Sequence, residues 1–445
     1  MKRKYLNTLA ALILLAVMWA GLTYWDKRKS SEPAKSDANT TQEKLFAIES
    51  SHVQSFTIRP REGETITCRR EGGNWTIAEP QEVSADASAV SGLLNSLTGT
   101  NIDQVVEAKP SNLKDFGLDP PLATLQVLTD AKPAQFSLLL GDETPTSGGV
   151  YAQVTGNPRV VTLPSYLKTS LLKNLFDLRD KRAVTLTSGE VQRIEVDAKG
   201  MRWTLAKNPE GVWDLVLPPA VRADRFAVEG LVNRLQNATM QSVVAEDKKN
   251  TGKYGFSAPD LTVKVTGPGV TQTLVLGKKE NERYFAINSA LDHVFTLDPN
   301  FPTEFKKEPG DLRDKNLFSF SAFEVKRLEV ETPAGTRTFV RQPQNKWKQT
   351  APTAKDVPTD KVETLLNRLH DLRAESFPNG ENLDSYGLKK PAYCFKAQFG
   401  EKNEAETVDA AKAGDHIYAR RPTDARASEV SKTALEDVEK ALKEL

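Results

Sequence analysis

Apolar residues recur in the same order three times along this chain of 445 residues. The copies are marked by three tryptophans that are separated by 138 and then 134 residues: Trp75, Trp213 and Trp347. Before each tryptophan, apolar and polar residues alternate, as around Val191, Ile194 and Val196. Such alternation predicts β-strands with one buried face. Since a repeat of this length can bury its own core, the period predicts tandem domains rather than a solenoid of short units.

A helix is predicted after each tryptophan. Four apolar residues lie 15, 18, 19 and 22 positions downstream, the spacing of one face of an amphipathic helix. These residues are Val90, Leu93, Leu94 and Leu97; Val228, Leu231, Val232 and Leu235; and Val362, Leu365, Leu366 and Leu369. Asp86 and Asp224 both lie 11 positions after their tryptophans, where a carboxylate can cap the helix. In the third copy the aspartate is Asp360, two positions later, so we expect that helix to begin later.

An aromatic residue followed by glycine comes next in each copy, and it predicts a turn before further strands. The glycines are Gly117, Gly255 and Gly387. Tyr151 in a later strand matches Tyr284 and Tyr418, and a second helix is predicted from Ser165 to Asp177.

The third copy departs at residues 401–412, a polar and alanine-rich stretch that interrupts the strand pattern. Each repeat is expected to hold about three strands, a helix, four strands and a helix. Strands broken by isolated helices predict an α+β fold, with three tandem repeats of mostly antiparallel sheet and packed helices.

The N-terminus predicts a membrane anchor. Residues 5–25 are mostly apolar and long enough to cross a bilayer as a helix, with no small-residue cleavage site after them. A cleaved secretion signal is the alternative. We therefore divide the chain into a cytoplasmic tail, a transmembrane helix, a flexible linker and three repeat domains. Their boundaries are 1–4, 5–25, 26–43, 44–182, 183–316 and 317–445.

Composition argues against nucleic acid as a partner. The chain has 60 basic and 59 acidic residues, so it lacks the positive excess that neutralises a phosphate backbone. Its two cysteines, Cys68 and Cys394, lie at unrelated positions of the first and third repeats and are interpreted as buried small hydrophobes.

No cofactor, metal site or catalytic residue is predicted. The four histidines have no histidine counterparts in the other repeats, and none belongs to a pair with metal-ligand spacing. They are His52, His293, His370 and His416. The three tryptophans could line sugar sites, but their positions within strands favour core packing. We therefore expect a protein that is not an enzyme, and the residues reveal no biochemical activity.

One polar motif is repeated at the end of a repeat. Leu178-Arg179-Asp180-Lys181 returns as Leu312-Arg313-Asp314-Lys315, and the third repeat, which has no successor, lacks it. We predict that Arg179, Asp180, Arg313 and Asp314 contact neighbouring domains and fix the angle between them through charge-assisted hydrogen bonds. The alternative is that these arginines are cations placed favourably at helix C-termini.

The tryptophan strands, the capped helix, the Tyr-Gly-Leu turn and the strand ending Leu-Gly together resemble a bacterial family, domain of unknown function 4340. The likeness covers most of residues 43–400 and rests on Trp75, Trp213, Trp347 and the glycine turns, with Leu140-Gly141 and Leu276-Gly277. It implies a single-pass protein of the bacterial cytoplasmic (inner) membrane with an extracytoplasmic, periplasmic body. Association with subunits of an ABC transporter is implied by the resemblance alone.

The expected function is a membrane-tethered scaffold or accessory subunit of a cell-envelope complex, with an ABC-type transporter as the expected partner. Repeated domains offer several weak binding surfaces at high local concentration, which suits assembly. A glycan- or peptidoglycan-binding protein is the second hypothesis. A hydrolase is the third, and it would require two close carboxylates or a Ser–His pair in a deep cleft.

Overall fold

The computed structural model describes residues 43–145, 148–216, 220–378, 382–424 and 426–445. Within them lie three nine-stranded sheets, and all strand pairings are antiparallel. Each sheet has the same order, in which the strands run fourth, third, second, first, sixth, seventh, eighth, ninth and fifth. The three predicted repeats are therefore confirmed.

The strand bounds follow the chain through each sheet in turn. The first sheet comprises β1 (Val53–Pro60), β2 (Ile66–Glu71), β3 (Asn74–Glu79), β4 (Val83–Ser84), β5 (Gln104–Glu107), β6 (Ala123–Thr129), β7 (Gln135–Glu143), β8 (Gly149–Val154) and β9 (Val160–Pro164). The second comprises β10 (Arg193–Ala198), β11 (Met201–Lys207), β12 (Trp213–Leu215), β13 (Val221–Arg222), β14 (Ser242–Ala245), β15 (Leu261–Gly267), β16 (Val270–Glu280), β17 (Arg283–Asn288) and β18 (Val294–Leu297). The third comprises β19 (Val325–Thr332), β20 (Gly335–Gln342), β21 (Lys346–Ala351), β22 (Lys355–Val357), β23 (Ala374–Ser376), β24 (Tyr393–Phe399), β25 (Glu404–Ala413), β26 (His416–Arg420) and β27 (Ser428–Val430).

One helix in each repeat follows the first four strands. These helices are α1 (Ala87–Gly99), α4 (Arg225–Gln236) and α5 (Thr359–His370). Their predicted apolar faces are buried in all three repeats, which confirms the spacing argument. After each helix the fifth strand pairs with the ninth at the far edge of the sheet, and the sixth strand returns to pair with the first. The other α-helices of the described residues are α2 (Tyr166–Leu171), α3 (Leu175–Leu178) and α6 (Lys432–Lys443), and short 3-10 helices lie in several connections.

Asp86 and Asp224 cap their helices as predicted. Asp86 accepts hydrogen bonds from the N–H groups of Ser88 and Ala89, and Asp224 accepts one from Ala227. The predicted late start of the third helix is wrong, because α5 begins at Thr359, 12 positions after its tryptophan, as α1 and α4 do (87 − 75, 225 − 213 and 359 − 347).

Three further expectations are corrected. The helix predicted from Ser165 to Asp177 is broken into α2 and α3, since Asn174 and Asp177 form a capping box that starts a new helix. The stretch 401–412 does not interrupt the third sheet, because most of it lies in β25. Seven strands were expected in each repeat, and the short edge strands bring the number to nine.

The chain divides into two compact units, Met1–Asp180 and Lys181–Leu445. The first unit holds the first sheet, and the second unit holds the second and third sheets. In the second unit, the third sheet buries a core that includes Phe339, Trp347 and Phe395 beneath α5 and α6. The first sheet buries its own core, which includes Phe56, Ile58 and Leu94.

The membrane predictions require correction. No helix in the described part of the chain is long and apolar enough to cross a bilayer. The predicted transmembrane helix at residues 5–25 lies outside that part, as do the tail at 1–4 and nearly all of the linker at 26–43. On this finding the fold class becomes three antiparallel sheets with packed helices, and the assignment as a single-pass inner-membrane protein with a signal anchor and a periplasmic body is withdrawn, because no described helix supports it.

Candidate functional site

Each landmark tryptophan lies directly opposite a cationic residue of the neighbouring strand. The pairs are Arg70 with Trp75, Lys207 with Trp213, and Arg341 with Trp347. The charged groups lie 5.1, 5.3 and 4.7 Å from the indole centroids, which is cation–π distance. The three indoles therefore share one local arrangement, which cross-strand pairing produces in every repeat.

The tryptophans differ in burial. Trp75 is 6% exposed and Trp347 is 2% exposed, whereas Trp213 is half-buried. Trp75 packs against Phe56 with ring centroids 5.7 Å apart. Beside Trp347, the guanidinium of Arg341 is held by the carbonyl oxygens of Val325 and Ala322. The strand that carries Trp213 has three residues rather than six, so fewer neighbours cover its ring.

The glycine landmarks close the aromatic turns. Gly117, Gly255 and Gly387 have φ values of 66, 82 and 69°, the left-handed region that glycine adopts without steric cost. The aromatic residue before each glycine packs on a ring of the eighth strand of its sheet. These ring pairs are Phe116 with Tyr151, Tyr254 with Phe285, and Tyr386 with Tyr418. The expected match of Tyr151 to Tyr284 is wrong by one residue, because the strand pairing places Phe285 at that position.

Arg179 and Asp180 lie beside the edge strand of the first sheet. Arg179 forms a β-bridge with Ala85, and its side chain is buried. The N–H of Asp180 donates to the carbonyl oxygen of Ser84 at 2.9 Å. Arg179 also follows α3 directly, as the helix C-terminus hypothesis requires. These backbone contacts with Ser84 and Ala85 lie within the first repeat, so the predicted contact of Arg179 and Asp180 with a neighbouring domain stays a prediction.

Arg313 and Asp314 connect the second and third repeats within the second unit. Arg313 forms a β-bridge with Ala223, next to β13, and the N–H of Asp314 donates to the carbonyl oxygen of Arg222 at 3.0 Å. The side chain of Arg313 is 8% exposed, and its guanidinium lies 3.7 Å from the ring centroid of Phe377 in the third repeat. Burial lowers the pKa of Arg313 to about 10. The residue therefore contacts one repeat with its backbone and the next with its side chain.

A network of charged side chains surrounds this junction. Arg421 of the third repeat lies 2.9 Å from the Asp424 carboxylate and 3.5 Å from the Asp314 carboxylate. Arg222 of the second repeat lies 3.6 Å from Glu406 and 3.9 Å from Asp314. Arg421 and Asp424 are buried, so these ion pairs are shielded from solvent more than surface pairs are.

A cleft of about 540 Å³ opens between the two repeats beside this network. The second repeat contributes Asp214 and Arg222, and the third contributes Glu406, Arg421 and Asp424. Burial raises the pKa of Asp214, and the charge of Asp424 acts in the same direction, against a hydrogen bond from Asn208 and the positive charges of Arg222 and Arg421. Sequence reasoning missed this cleft because its walls lie about 200 positions apart (406 − 214 = 192).

A second cavity of about 330 Å³ adjoins the first and shares Val212 and Arg222 with it. Its walls include Trp213 and Phe226, and Phe226 is 74% exposed. Because Trp213 and Asp214 are consecutive in β12, their side chains point to opposite faces of the strand. The apolar cavity and the acidic cleft therefore lie on either side of β12 and meet at Val212.

The histidines and cysteines lie apart from this cleft. His52 lies 2.8 Å from Asp130, His370 contacts the carbonyl oxygen of Phe320, and His416 contacts Glu429. His293 is buried against Met240. Both cysteines are free thiols, with Cys68 buried and Cys394 half-buried. Within the described ranges, no three His, Cys, Asp or Glu side chains are grouped as metal ligands.

Two solved structures were compared with the chain. The DNA polymerase III subunit beta from Pseudomonas aeruginosa is 10% identical, with 87% of this chain and 93% of that chain covered and a TM-score of 0.16. A DNA polymerase sliding clamp with ligand, from the same organism, is 11% identical, with 84% and 90% covered and a TM-score of 0.14. At these TM-scores the two structures do not indicate the fold or the function of this chain. No curated protein matches the chain.

One family model matches the chain twice, over residues 75–213 and 213–391. Both matches begin at a landmark tryptophan; the first ends at the next tryptophan, and the second extends past Trp347 into the third repeat. The matched residues make up more than half of the chain, and they confirm the resemblance drawn from the tryptophan and glycine motifs. The protein belongs to the family described as Domain of unknown function (DUF4340).

Proposed function

We propose that this protein is a non-catalytic scaffold that presents its second and third repeats to protein partners as one rigid body. The observation that carries the proposal is Arg313, which joins both repeats through its backbone pairing with Ala223 and its stacking on Phe377. A desolvated cation–π contact contributes on the order of 2 kcal/mol, more than an exposed contact would. The buried ion pairs that Arg421 forms with Asp314 and Asp424 help to fix the orientation of the two repeats at this junction.

Backbone pairing supports the same proposal. Lys315 is the last residue of the Arg313 motif, and its carbonyl oxygen accepts a hydrogen bond from the N–H of Ala374 at 2.8 Å. The connecting segment is thus paired with the edge of the second sheet and then, within a few residues, with the third repeat. A segment held on both sides cannot act as a flexible linker, which favours a fixed presentation of the two sheets.

Affinity capture with the full chain tests the proposal. The wild-type protein, immobilised and exposed to an extract of its source cells, should retain a protein partner at a constant ratio. The double variant R313A/F377A, which loosens the junction, should retain at least about tenfold less of it, since a coupling of 1.4 kcal/mol corresponds to a factor of ten. F323S is the matched control, because Phe323 is 75% exposed and lies outside the junction. Equal retention by R313A/F377A and wild type would contradict the rigid scaffold.

The identity of the partner stays a prediction. The family resemblance implies subunits of an ABC transporter, and the capture experiment tests this directly, because those subunits would be identified by mass spectrometry. Retention of a different partner would agree with the scaffold proposal but would contradict the prediction that the partner is an ABC transporter.

A further inference from the structure

The second repeat differs from the other two at the position where α4 begins. Phe226 lies 13 positions after its tryptophan, where the first repeat has Ser88 and the third has Asp360. Phe226 is 74% exposed, and the ring of Trp213 beside it is less covered than either counterpart. Since the three repeats share one fold, the fold itself does not require an exposed aromatic residue here. Both side chains line the same cavity, and exposed apolar surface of this kind marks sites of interaction.

The adjoining cleft is acidic. Its walls carry four carboxylates, those of Glu210, Asp214, Glu406 and Asp424, against the two guanidiniums of Arg222 and Arg421. Both guanidiniums already face carboxylates, at 3.6 Å for Arg222 and 2.9 Å for Arg421. Asp214 accepts a hydrogen bond from Asn208 and lies opposite Arg222 in the strand pairing. Because the cleft carries two more carboxylates than guanidiniums, and both guanidiniums already face Glu406 and Asp424, its walls keep an excess of negative charge that an incoming cation would meet.

We propose that the two cavities, which meet at the exposed Val212 and at Arg222, form one groove around the start of β12. This groove binds an extended segment of a protein partner that passes over Val212 and carries a bulky apolar residue close to a lysine or arginine. The apolar side chain lies against the two rings, and the cation faces Asp214. This inference rests on the proposed scaffold function and names the surface and the kind of partner. A neutral glycan could stack on the two rings, but it carries no positive charge to pair with the carboxylates of the cleft. Charge complementarity therefore favours the peptide.

Fluorescence anisotropy with the full chain tests the groove. The probe is a set of labelled hexapeptides that contain one Leu and one Lys at every relative spacing among Gly and Ser. We expect saturable binding by at least one spacing, at least fivefold weaker binding by F226S and by D214N, and loss of binding when the Lys of the probe is replaced by Glu. F226S introduces the residue that the first repeat carries at this position, which favours correct folding. F323S is the control for loss of an equally exposed phenylalanine and should bind like wild type.

Four results would overturn the proposal. The first is no saturable binding at any spacing, and the second is binding that F226S and D214N leave unchanged. The third is preference for a tetramer of N-acetylglucosamine over every peptide, which would favour the glycan hypothesis. The fourth is cleavage of the hexapeptide that D214N abolishes, which would favour a hydrolase. If F226S loses the peptide but keeps the captured partner, the groove is not the partner's site and the scaffold proposal survives.

Discussion

Close packing of the aromatic turn against the sheet leaves no room for a side chain at Gly277 in β16. A Cβ atom there would overlap the carbonyl oxygen of Tyr254, and a Cβ at Gly141 in β7 would overlap that of Phe116. The strand pairing puts Ala411 at the same position of the third sheet. The third sheet thus has room for a methyl group at this position, and the third repeat has no Leu-Gly pair to match Leu140-Gly141.

Gly277→Ala should destabilise the second unit by roughly 2–4 kcal/mol, because backbone rather than a flexible side chain must move to admit the new methyl group. The matched change Ala411→Gly should cost about 1 kcal/mol or less, since it adds no atom. Denaturant unfolding of the full chain, followed by tryptophan fluorescence, measures both. Equal losses for the two variants would show that the overlap at Gly277 is relieved cheaply.

Asp214→Asn should stabilise the protein at pH 7. Burial raises the pKa of Asp214 above its ordinary value of 3.8, so the ionised carboxylate costs stability in the folded state. The pKa of Asp214 is higher in the folded state than in the unfolded state, so the free energy of unfolding falls as pH rises above 3.8. The asparagine variant has no ionisable group at this position and does not lose this stability. The difference in melting temperature between variant and wild type should shrink to zero below that pH, where Asp214 is protonated in both states. A variant that melts below wild type at pH 7 would contradict the assignment.

Neither cysteine should react readily in the folded protein. Burial raises the pKa of Cys68 to about 12, and burial together with the charge of Asp409 raises that of Cys394 to about 11. The thiolate is the reactive form, so almost none is present at pH 7 to 8. A disulfide reagent should label both thiols at full rate only after denaturation, with Cys394 ahead of Cys68 in the native state. Rapid labelling of native Cys68 would show that β2 opens frequently.

At the scale of single elements, sequence reasoning succeeded where one residue type is required by local geometry. The apolar helix faces, the Asp86 and Asp224 caps and the aromatic–glycine turns were all predicted, because each depends on residues that lie close together in the chain. It failed at the short edge strands and at the break between α2 and α3. A strand of two or three residues, such as β4, carries too few positions to show a period, and its pairing depends on a neighbouring chain segment.

The connection between the second and third repeats can be measured by a double-mutant cycle on Arg313 and Phe377. R313A and F377A should each destabilise the second unit, and the double variant should lose about 1–2 kcal/mol less than the sum, because the cation–π contact is counted in both single losses. The control cycle pairs Arg313 with Phe323, which lies outside the junction. Additive losses for Arg313 and Phe377 would mean that the two side chains are neighbours without energetic coupling.

At the scale of the whole molecule, three periods of sequence correspond to three sheets but only two compact units. The sequence period indicates which segments adopt the same fold, because each repeat contains its own strands and helix. It does not indicate which repeats share an interface. That depends on pairs such as Arg313 with Phe377 and Arg222 with Glu406, whose members lie 64 and 184 positions apart (377 − 313 and 406 − 222) and leave no local pattern. The motif around Arg313 was recognisable, but its aromatic partner was not.

Calorimetry of the full chain should therefore show the second and third sheets unfolding in one transition. Both belong to the unit Lys181–Leu445, and loss of either sheet would expose the buried side chains of Arg313 and Arg421 at the junction. In R313A/F377A this shared stabilisation is removed, and we expect the transition to separate into two. Hydrogen exchange read by mass spectrometry should assign the steps, with amides of β15 and β24 becoming exchangeable together in wild type and at different temperatures in the variant. F323S should keep the single transition. Separate exchange of the two strands in wild type would show that the repeats unfold independently, and the rigid presentation on which the scaffold proposal depends would then be lost.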